Sequence, residues 1–240
     1  LDTNGDIRLG VIGGQWNRQL TTSHRFTNPR LANLATTFQA QFMTNMPTDD
    51  ISTDKTLEKT LNFQVFKYID IRADYSLDVL IGNIVNIISN DNNEPKDFVV
   101  LASSTKLLRN VDYSYRQITH EKTEITFVST EVLDKLKKVH NVTDEKTASW
   151  KFNRDFEALE RTRKQLFTTD KRCLKISTIQ SFKGWESPSV IIILENDTIS
   201  DNTNYLPTSP QAIYTAITRA RENMYIVNIG NNTYHNFFYN

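Results

Sequence analysis

Cysteine is nearly absent from this 240-residue chain, in which Cys173 stands alone. A single cysteine excludes an intrachain disulfide and a cysteine-cluster metal site, and it agrees with a reducing compartment, so we expect a cytoplasmic protein. The histidines are scattered and pair with no carboxylate at ligand spacing, so we expect no metal site within this chain. Long apolar runs are also missing. The longest aliphatic run, Val190 to Leu194, is far short of the ~20 residues that cross a bilayer, so no membrane partner is expected.

The chain also has no net charge, because its 28 basic and 28 acidic residues cancel. With 38% hydrophobic and 23% charged residues, the chain has neither the low hydrophobicity nor the high net charge of a disordered protein. Its length allows one large domain or two small ones. The first residue is Leu1 rather than methionine, so we expect a piece of a longer polypeptide.

Apolar patterns predict helices that alternate with short strands. Helical spacing of apolar residues predicts helices at 22–42, 77–88, 131–139, 150–167 and 210–220. Short apolar runs predict strands within 61–71 and at 98–102, 125–128, 173–177, 190–194 and 224–229. The wholly apolar run Phe98 to Ala102 is typical of a strand buried on both faces of a parallel sheet. The alternation predicts an α/β domain with a mostly parallel sheet flanked by helices.

Three short segments carry residues suited to binding anions, each beside a predicted strand end or helix end. They are residues 20–26, 176–186 and 212–220. Gly184 in a tight turn after Lys183 would let the backbone approach a phosphate or a sugar closely. Arg219, near its helix end, carries a planar fork that suits a phosphate. Each feature alone also has an ordinary interpretation: Arg219 compensating a helix dipole, Lys183-Gly184 forming a surface turn, and Arg25 being a solvated charge.

Together and in this order, the segments resemble the C-terminal motor domain of superfamily 1 helicases of the UvrD/Rep type, a RecA-like fold of the P-loop NTPase kind. Residues 23–26 stand where the family has Asn-Tyr-Arg-Ser, and they keep the arginine. Residues 178–186 match Thr-x-His-x-x-Lys-Gly-Leu-Glu, and residues 216–220 match Ala-x-Thr-Arg-Ala. Residues 98–105 are similar to the family's strand and polar loop that meet single-stranded DNA. The resemblance covers about residues 21–229.

Two departures fall within residues 178–186. Gln180 replaces the family's histidine, which keeps a hydrogen-bonding side chain but loses a positive charge. Trp185 replaces leucine, and we expect it to pack or to offer a stacking face.

The resemblance implies which residues bind nucleotide and which bind DNA. Arg25 and Arg219 would reach across a cleft to the γ-phosphate of ATP, and an arginine finger of this kind is worth ~10³–10⁵ in rate. Glu186 would bind the ribose, beside Lys183 and Gly184 of the same turn. The residues implied to contact DNA carry hydroxyl or amide groups: Ser103, Ser104, Thr105, Thr178 and Gln180. Of these, Thr178 and Gln180 would lie between the nucleotide and the DNA, so that cleft closure moves the strand.

One further absence bears on the ATP site. A Walker-type phosphate loop needs glycine directly before its lysine, and the sequence has no Gly-Lys pair. We therefore expect an N-terminal RecA-like domain of the same polypeptide to hold most of the ATP and its Mg²⁺, and this chain alone not to hydrolyse ATP. Glu195, which ends the run Val190 to Leu194, is interpreted as structural rather than as a magnesium ligand. The full-length protein is then expected to be an ATP-dependent DNA helicase or translocase acting on single-stranded or duplex DNA.

The predicted organisation has residues 1–20 leading into a RecA-like domain at 21–240, with a small helical insertion at about 140–170. Two other functions stay open at this point. One is a non-catalytic RecA-like module that binds nucleic acid or protein. The other is a different P-loop enzyme, such as a nucleotide kinase with the Arg219 helix as a lid, which the missing phosphate loop opposes. Polarity of movement and preference for DNA or RNA are not encoded in these motifs.

Overall fold

The sheet of this protein is built from parallel strands. The computed structural model describes residues 28–43, 66–91, 93–143, 148–196 and 209–239. The strands in these ranges are β1 Phe66–Asp70, β2 Phe98–Ala102, β3 Thr123–Ile125, β4 Leu174–Thr178, β5 Ser187–Leu194 and β6 Ala220–Asn228. Their order across the sheet is β1-β6-β5-β2-β4-β3, and every neighbouring pair is parallel. The predicted α/β class with a parallel sheet is confirmed.

Helices connect and cover the strands. They are α1 Pro29–Phe42, α2 Leu77–Asn90, α3 Thr105–Thr119, α4 Thr130–His140, α5 Trp150–Leu166, α6 Pro210–Ile217 and α7 His235–Tyr239, with a 3₁₀ turn at Pro95–Asp97. Several of these helices start at N-cap residues that can be recognised in the sequence. The Asn28 side chain accepts a hydrogen bond from the Arg30 amide ahead of α1, and Ser209 accepts one from the Ala212 amide ahead of α6. Both helices have proline in the first turn, where its missing N–H costs nothing.

Two apolar layers enclose the sheet, one on each face. The first is formed by α1, α6 and α7 against one face, and the second by α2 and α3 against the other. Strand β2 shows the division, because Val99 and Leu101 belong to the first layer while Phe98 and Val100 belong to the second. All five of its residues are buried, as the sequence predicts. At ~25 cal/mol per Å² of apolar surface, these layers are the main source of stability.

Helices α4 and α5 lie in a smaller cluster beside the sheet. Its buried members are Val128, Leu133 and Phe152. Most of the α5 surface is polar, and Phe152 is its only fully buried residue among those described. The predicted helix at 150–167 is thus confirmed as an amphipathic element that packs on α4.

Three differences from the sequence prediction concern the segments around Thr126, Arg219 and Ser104. Strand β3 ends at Ile125, since the Thr126 amide still donates to the Ile176 carbonyl of β4 but the Val128 amide donates to Glu160 instead of to the sheet. Helix α6 ends at Ile217, and β6 starts at Ala220, so Arg219 lies in a turn rather than in the helix. Helix α3 was not predicted, although Ser104 caps it. No helix in the described ranges combines the length and apolar character needed to cross a membrane.

Candidate functional site

A polar cavity lies at the carboxyl edge of the sheet, where β2 and β4 end side by side. Ala102 pairs with Thr178 in register, and the Ile179 amide donates to the Ala102 carbonyl at 3.0 Å. The residues that follow both strands are therefore brought together, as carboxyl ends of parallel strands usually are at ligand sites. Ser103, Thr105, Thr178 and Gln180 line the resulting cavity of about 160 Å³. The structure thus places four of the five sequence-predicted DNA contacts at one site.

The fifth, Ser104, does not line this cavity. Its hydroxyl accepts a hydrogen bond from the Leu107 amide at 3.2 Å and caps α3. Thr178 is held by a local turn, because its hydroxyl accepts from the Ser181 amide at 3.1 Å and donates to the Ser181 hydroxyl at 2.9 Å. The side chain of Gln180 is exposed, whereas its neighbour Ile179 is buried and anchors the turn.

Glu195, at the end of β5, shapes the loop that enters this cavity. Its Oε2 accepts hydrogen bonds from the Ser103 amide at 2.7 Å and the Ser104 amide at 2.9 Å. Burial raises the pKa of the Glu195 carboxyl, and the two backbone amides oppose that shift. The carboxylate therefore binds backbone at the start of α3, which accords with the structural interpretation. Within the described ranges no group of three or more acidic, histidine or cysteine side chains is placed to hold a metal ion.

Sequence reasoning missed about half of the cavity wall. Thr126 and Phe127 follow β3, Ser181 follows Gln180, and Glu160 and Lys164 come from α5. The position of Thr126 follows from register, because Ile125 pairs with Ile176 of β4. Ser181 lies inside a segment already singled out. No sequence pattern predicts that α5 reaches this edge, because its position depends on packing between elements that are far apart along the chain. We call the nine lining residues together the carboxyl-edge pocket.

A second group of predicted residues lies at the opposite, amino edge of the sheet. Ser187 and Ala220, the first residues of β5 and β6, pair with each other. Directly before them come the turn ending in Glu186 and the turn that holds Arg219. Lys183, Gly184, Trp185, Glu186 and Arg219 are called the amino-edge cluster below.

The turn before β5 is exposed and needs a glycine. Lys183, Gly184 and Glu186 are all exposed. Gly184 has φ +95°, and a Cβ built there would meet nothing within 4 Å. Backbone conformation rather than crowding therefore selects glycine. Trp185 is 39% exposed, and its ring meets Phe167 edge-on at 5.8 Å. It both packs on Phe167 and presents ring surface to solvent.

Arg219 is buried, at 7% exposure, and its guanidinium contacts protein oxygens. Nε donates to the Thr215 carbonyl at 3.0 Å, Nη1 to the Trp185 carbonyl at 3.2 Å, and Nη2 to the Thr218 hydroxyl at 3.0 Å. The bond to Thr215 satisfies a carbonyl in the last turn of α6, which is one part of the ordinary interpretation of this arginine. The bond to Trp185 joins two of the three sequence motifs. Arg25, the arginine of the third motif, lies outside the described residues.

The two groups are separate sites connected by one segment. At about 3.3 Å per residue, the eight residues of β5 span about 26 Å from one edge to the other. Residues 178–186 begin in the carboxyl-edge pocket at Thr178 and end in the amino-edge cluster at Glu186. Their turn is continuous, with the Phe182 amide bonded to the Thr178 carbonyl and the Trp185 amide bonded to the Phe182 carbonyl. This segment alone among the described ones contributes predicted residues to both sites.

Comparison with known proteins assigns the family. The model of the viral superfamily 1 RNA helicase core domain matches residues 87–228, which is more than half of the chain. The chain belongs to this helicase core family. The matched range contains the carboxyl-edge pocket and the amino-edge cluster, so both lie within the helicase core. The match supports the predicted helicase core but not the finer UvrD/Rep type, which stays a prediction.

Other comparisons add little to this helicase assignment. A solved structure, the C-terminal domain of a possible DNA helicase from Lactobacillus plantarum WCFS1, is similar at 13% identity and a TM-score of 0.39. The similarity covers 69% of this chain and 73% of that one. The search of curated proteins found no match. The helicase core assignment therefore depends on the family match.

Proposed function

We propose that this chain is the second motor domain of an ATP-dependent superfamily 1 helicase or translocase, of the UvrD/Rep type. In this proposal the amino-edge cluster completes an ATP site whose other half belongs to an N-terminal domain. The carboxyl-edge pocket holds the backbone of single-stranded DNA. The contact of Arg219 with the Trp185 carbonyl carries the proposal, because it places two helicase motifs at one edge.

The groups of the amino-edge cluster fit one side of a nucleotide. An exposed ammonium and a buried guanidinium supply positive charge for phosphate oxygens, and the exposed Glu186 carboxylate suits the hydroxyls of a ribose. Gly184 allows close approach of the backbone. When bound, ATP would supply the phosphoryl group that is transferred to water. Arg219, with Arg25 in the same role, would stabilise negative charge on that phosphoryl group. The N-terminal domain would hold the Mg²⁺ that accompanies ATP.

Arg219 must exchange partners to act in this way. Its Nη1 and Nη2 atoms donate to Trp185 and Thr218, so a phosphate would replace a carbonyl and a hydroxyl as acceptors. A phosphate oxygen is charged and makes a stronger hydrogen bond than either neutral acceptor, which favours the exchange. The guanidinium stays protonated at any physiological pH, so no proton needs to move.

The carboxyl-edge pocket fits a sugar–phosphate backbone. Its hydroxyl and amide groups can donate hydrogen bonds to phosphate and sugar oxygens, and backbone contacts of this kind position a strand without reading its sequence. Because residues 178–186 contribute to both sites, a change at the nucleotide side has a direct covalent route to the strand. The absence of net charge in the whole chain does not oppose this function, since a local groove grips the strand.

One observation favours the second candidate, a non-catalytic binding module. The guanidinium of Arg219 is already engaged with protein oxygens. An arginine kept for structure alone would have the same contacts. The two functions differ in whether the parent polypeptide turns over ATP.

ATP turnover by the parent polypeptide tests the proposal. We expect turnover that single-stranded DNA stimulates, and none by the isolated chain. Arg219→Lys keeps the charge but loses the fork, so turnover should fall toward the ~10³–10⁵ loss expected when an arginine finger is removed. The exposed arginine two positions on, Arg221→Ala, is the control and should retain turnover. An unaltered parent polypeptide that does not hydrolyse ATP would contradict the proposal and support the binding module.

A further inference from the structure

Helix α5 forms one wall of the carboxyl-edge pocket. Glu160 and Lys164 are four residues apart, which places them on the same face of the helix, and both line the cavity. The other lining residues lie at or shortly after the carboxyl ends of β2, β3 and β4, whereas α5 belongs to the separate cluster with α4. No residue of the three segments that resemble helicase motifs contributes to this wall.

Glu160 fastens α5 to the rest of the fold. Its Oε1 accepts a hydrogen bond from the Val128 amide at 3.1 Å and lies 3.5 Å from Nη2 of Arg109. Arg109 also donates from Nε to the Val128 carbonyl at 2.9 Å, and its guanidinium lies 5.5 Å from the centre of the Phe156 ring. Both charged side chains are largely buried, at 12% and 18% exposure. Contacts to α3 and to the segment after β3 therefore fix the position of this wall.

The same contacts determine the charge of the pocket. The Glu160 carboxylate faces Arg109 and a backbone donor, so its negative charge is compensated within the protein. Lys164 is the one cationic side chain among the described residues that line the cavity, and it is exposed. An ammonium and several hydroxyl groups that line one cavity can together contact the oxygens of a phosphodiester.

We propose that Lys164 binds a phosphate of the single strand in the carboxyl-edge pocket and that α5 is the fixed wall that presents it. This inference rests on the proposed function, because it names the contact that the pocket makes with its strand. Lys164 adds an electrostatic contact to the hydrogen bonds from Ser103, Thr105 and Thr178. It makes affinity depend on salt without making it depend on base sequence.

Salt-dependent binding of an oligonucleotide to the chain tests this role. Fluorescence anisotropy with a labelled oligothymidylate, at several salt concentrations, gives the slope of log affinity against log salt. One lost phosphate contact lowers that slope by about 0.7 for a single strand, which corresponds to about fivefold weaker binding at 0.1 M salt. We expect this change for Lys164→Ala, a larger loss for Lys164→Glu, and retention for Lys164→Arg. The control is Arg163→Ala, which removes an exposed positive charge from the preceding position on α5, outside the cavity.

The outcomes separate this inference from the proposed function. If the unaltered chain binds the oligonucleotide and Lys164→Ala has the same slope as the unaltered chain, the role of Lys164 is wrong while the pocket stands. If Lys164→Ala and Arg163→Ala lower the slope equally, the charge of α5 acts at long range and the specific contact is wrong. If the unaltered chain binds neither oligothymidylate nor oligouridylate, the proposed nucleic-acid function of the pocket fails first. Tighter binding of oligouridylate would retain Lys164 and assign the strand as RNA.

Discussion

Arg219 Nη1 lies 3.2 Å from the carbonyl oxygen of Trp185, a residue 34 positions earlier in the chain. A backbone hydrogen bond joins the same two turns, because the Ser187 amide donates to the Arg219 carbonyl at 3.0 Å. Side chain and main chain together join the ends of two of the segments that resemble helicase motifs, at the amino edge of the sheet. The arginine is thus both a candidate ligand for phosphate and a structural link.

The structural role predicts a loss of stability when the side chain of Arg219 is removed. Arg219→Ala removes the donor to the Trp185 carbonyl and one of the two donors to the Thr215 carbonyl, which keeps the Thr218 hydroxyl. Losing hydrogen bonds from a charged donor costs ~1–3 kcal/mol. We expect the free energy of unfolding, measured with urea, to fall by about this amount. Exposed Arg221→Ala should change it by no more than ~0.5 kcal/mol. Equal effects of the two substitutions would show that the contacts of Arg219 do not stabilise the fold.

Two exposed glycines should respond in opposite directions to alanine. Gly184 has φ +95°, so Gly184→Ala places a side chain in a disfavoured backbone region at a cost of ~1–2 kcal/mol. Gly82 lies inside α2, where alanine is favoured over glycine by ~0.5–1 kcal/mol. A Cβ meets nothing within 4 Å at either position, so crowding cannot produce the difference. Urea unfolding measures both, and a stabilising Gly184→Ala would rule out the strained turn.

Two glutamates of α5 provide a matched test of the contacts through which Glu160 holds this helix in place. Glu160 pairs with Arg109 at 18% and 12% exposure, whereas Glu157 pairs with Arg161 at 63% and 75% exposure. We expect Glu160→Ala to lower the free energy of unfolding by ~1–3 kcal/mol, because the Val128 amide and the Arg109 guanidinium lose their acceptor. Glu157→Ala should cost ~0.5 kcal/mol or less, as exposed pairs do. Thermal or urea unfolding distinguishes them, and similar values would mean that α5 is not anchored through Glu160.

Glu195 should make stability depend on pH. Burial raises its pKa above the ordinary value of 4.5, so the folded chain holds this proton more tightly than the unfolded chain. The contribution of Glu195 to stability is then largest below that ordinary value and is lost as pH rises through the raised pKa. We expect the free energy of unfolding of the unaltered chain, minus that of Glu195→Gln, to decrease across this window. Its slope is at most ~1.4 kcal/mol per pH unit. If this difference increased with pH instead, the backbone hydrogen bonds would outweigh burial in their effect on the pKa of Glu195.

The buried strands could be predicted from the sequence because their composition alone identifies them. The run Phe98 to Ala102 is apolar at every position, and both faces of β2 are covered. Helix α3 was missed although Leu108, Val111 and Tyr115 recur at helical spacing and Ser104 stands at its cap. Polar and charged residues between them hide that period.

The carboxyl-edge pocket could be predicted only in part. Ser103, Thr105, Thr178 and Gln180 follow strands that become neighbours, so strand ends were a sufficient guide. Lys164 reaches the pocket because α5 is fastened by Glu160 to residues of two other elements, and no local pattern encodes that long-range packing. The burial of Arg219 was likewise not predictable, since it results from a turn where a longer helix was expected.

The central claim is that nucleotide and strand bind at different edges of one sheet, and it is tested most directly by ATP turnover as a function of oligonucleotide concentration. The parent polypeptide is compared with its Arg219→Ala variant, after urea unfolding has shown that the variant is folded. We expect the maximal rate to fall by ~10³ or more, with no change in the half-saturating concentration of oligonucleotide. An unchanged maximal rate, or a half-saturating concentration that rises as steeply as the rate falls, would contradict the claim.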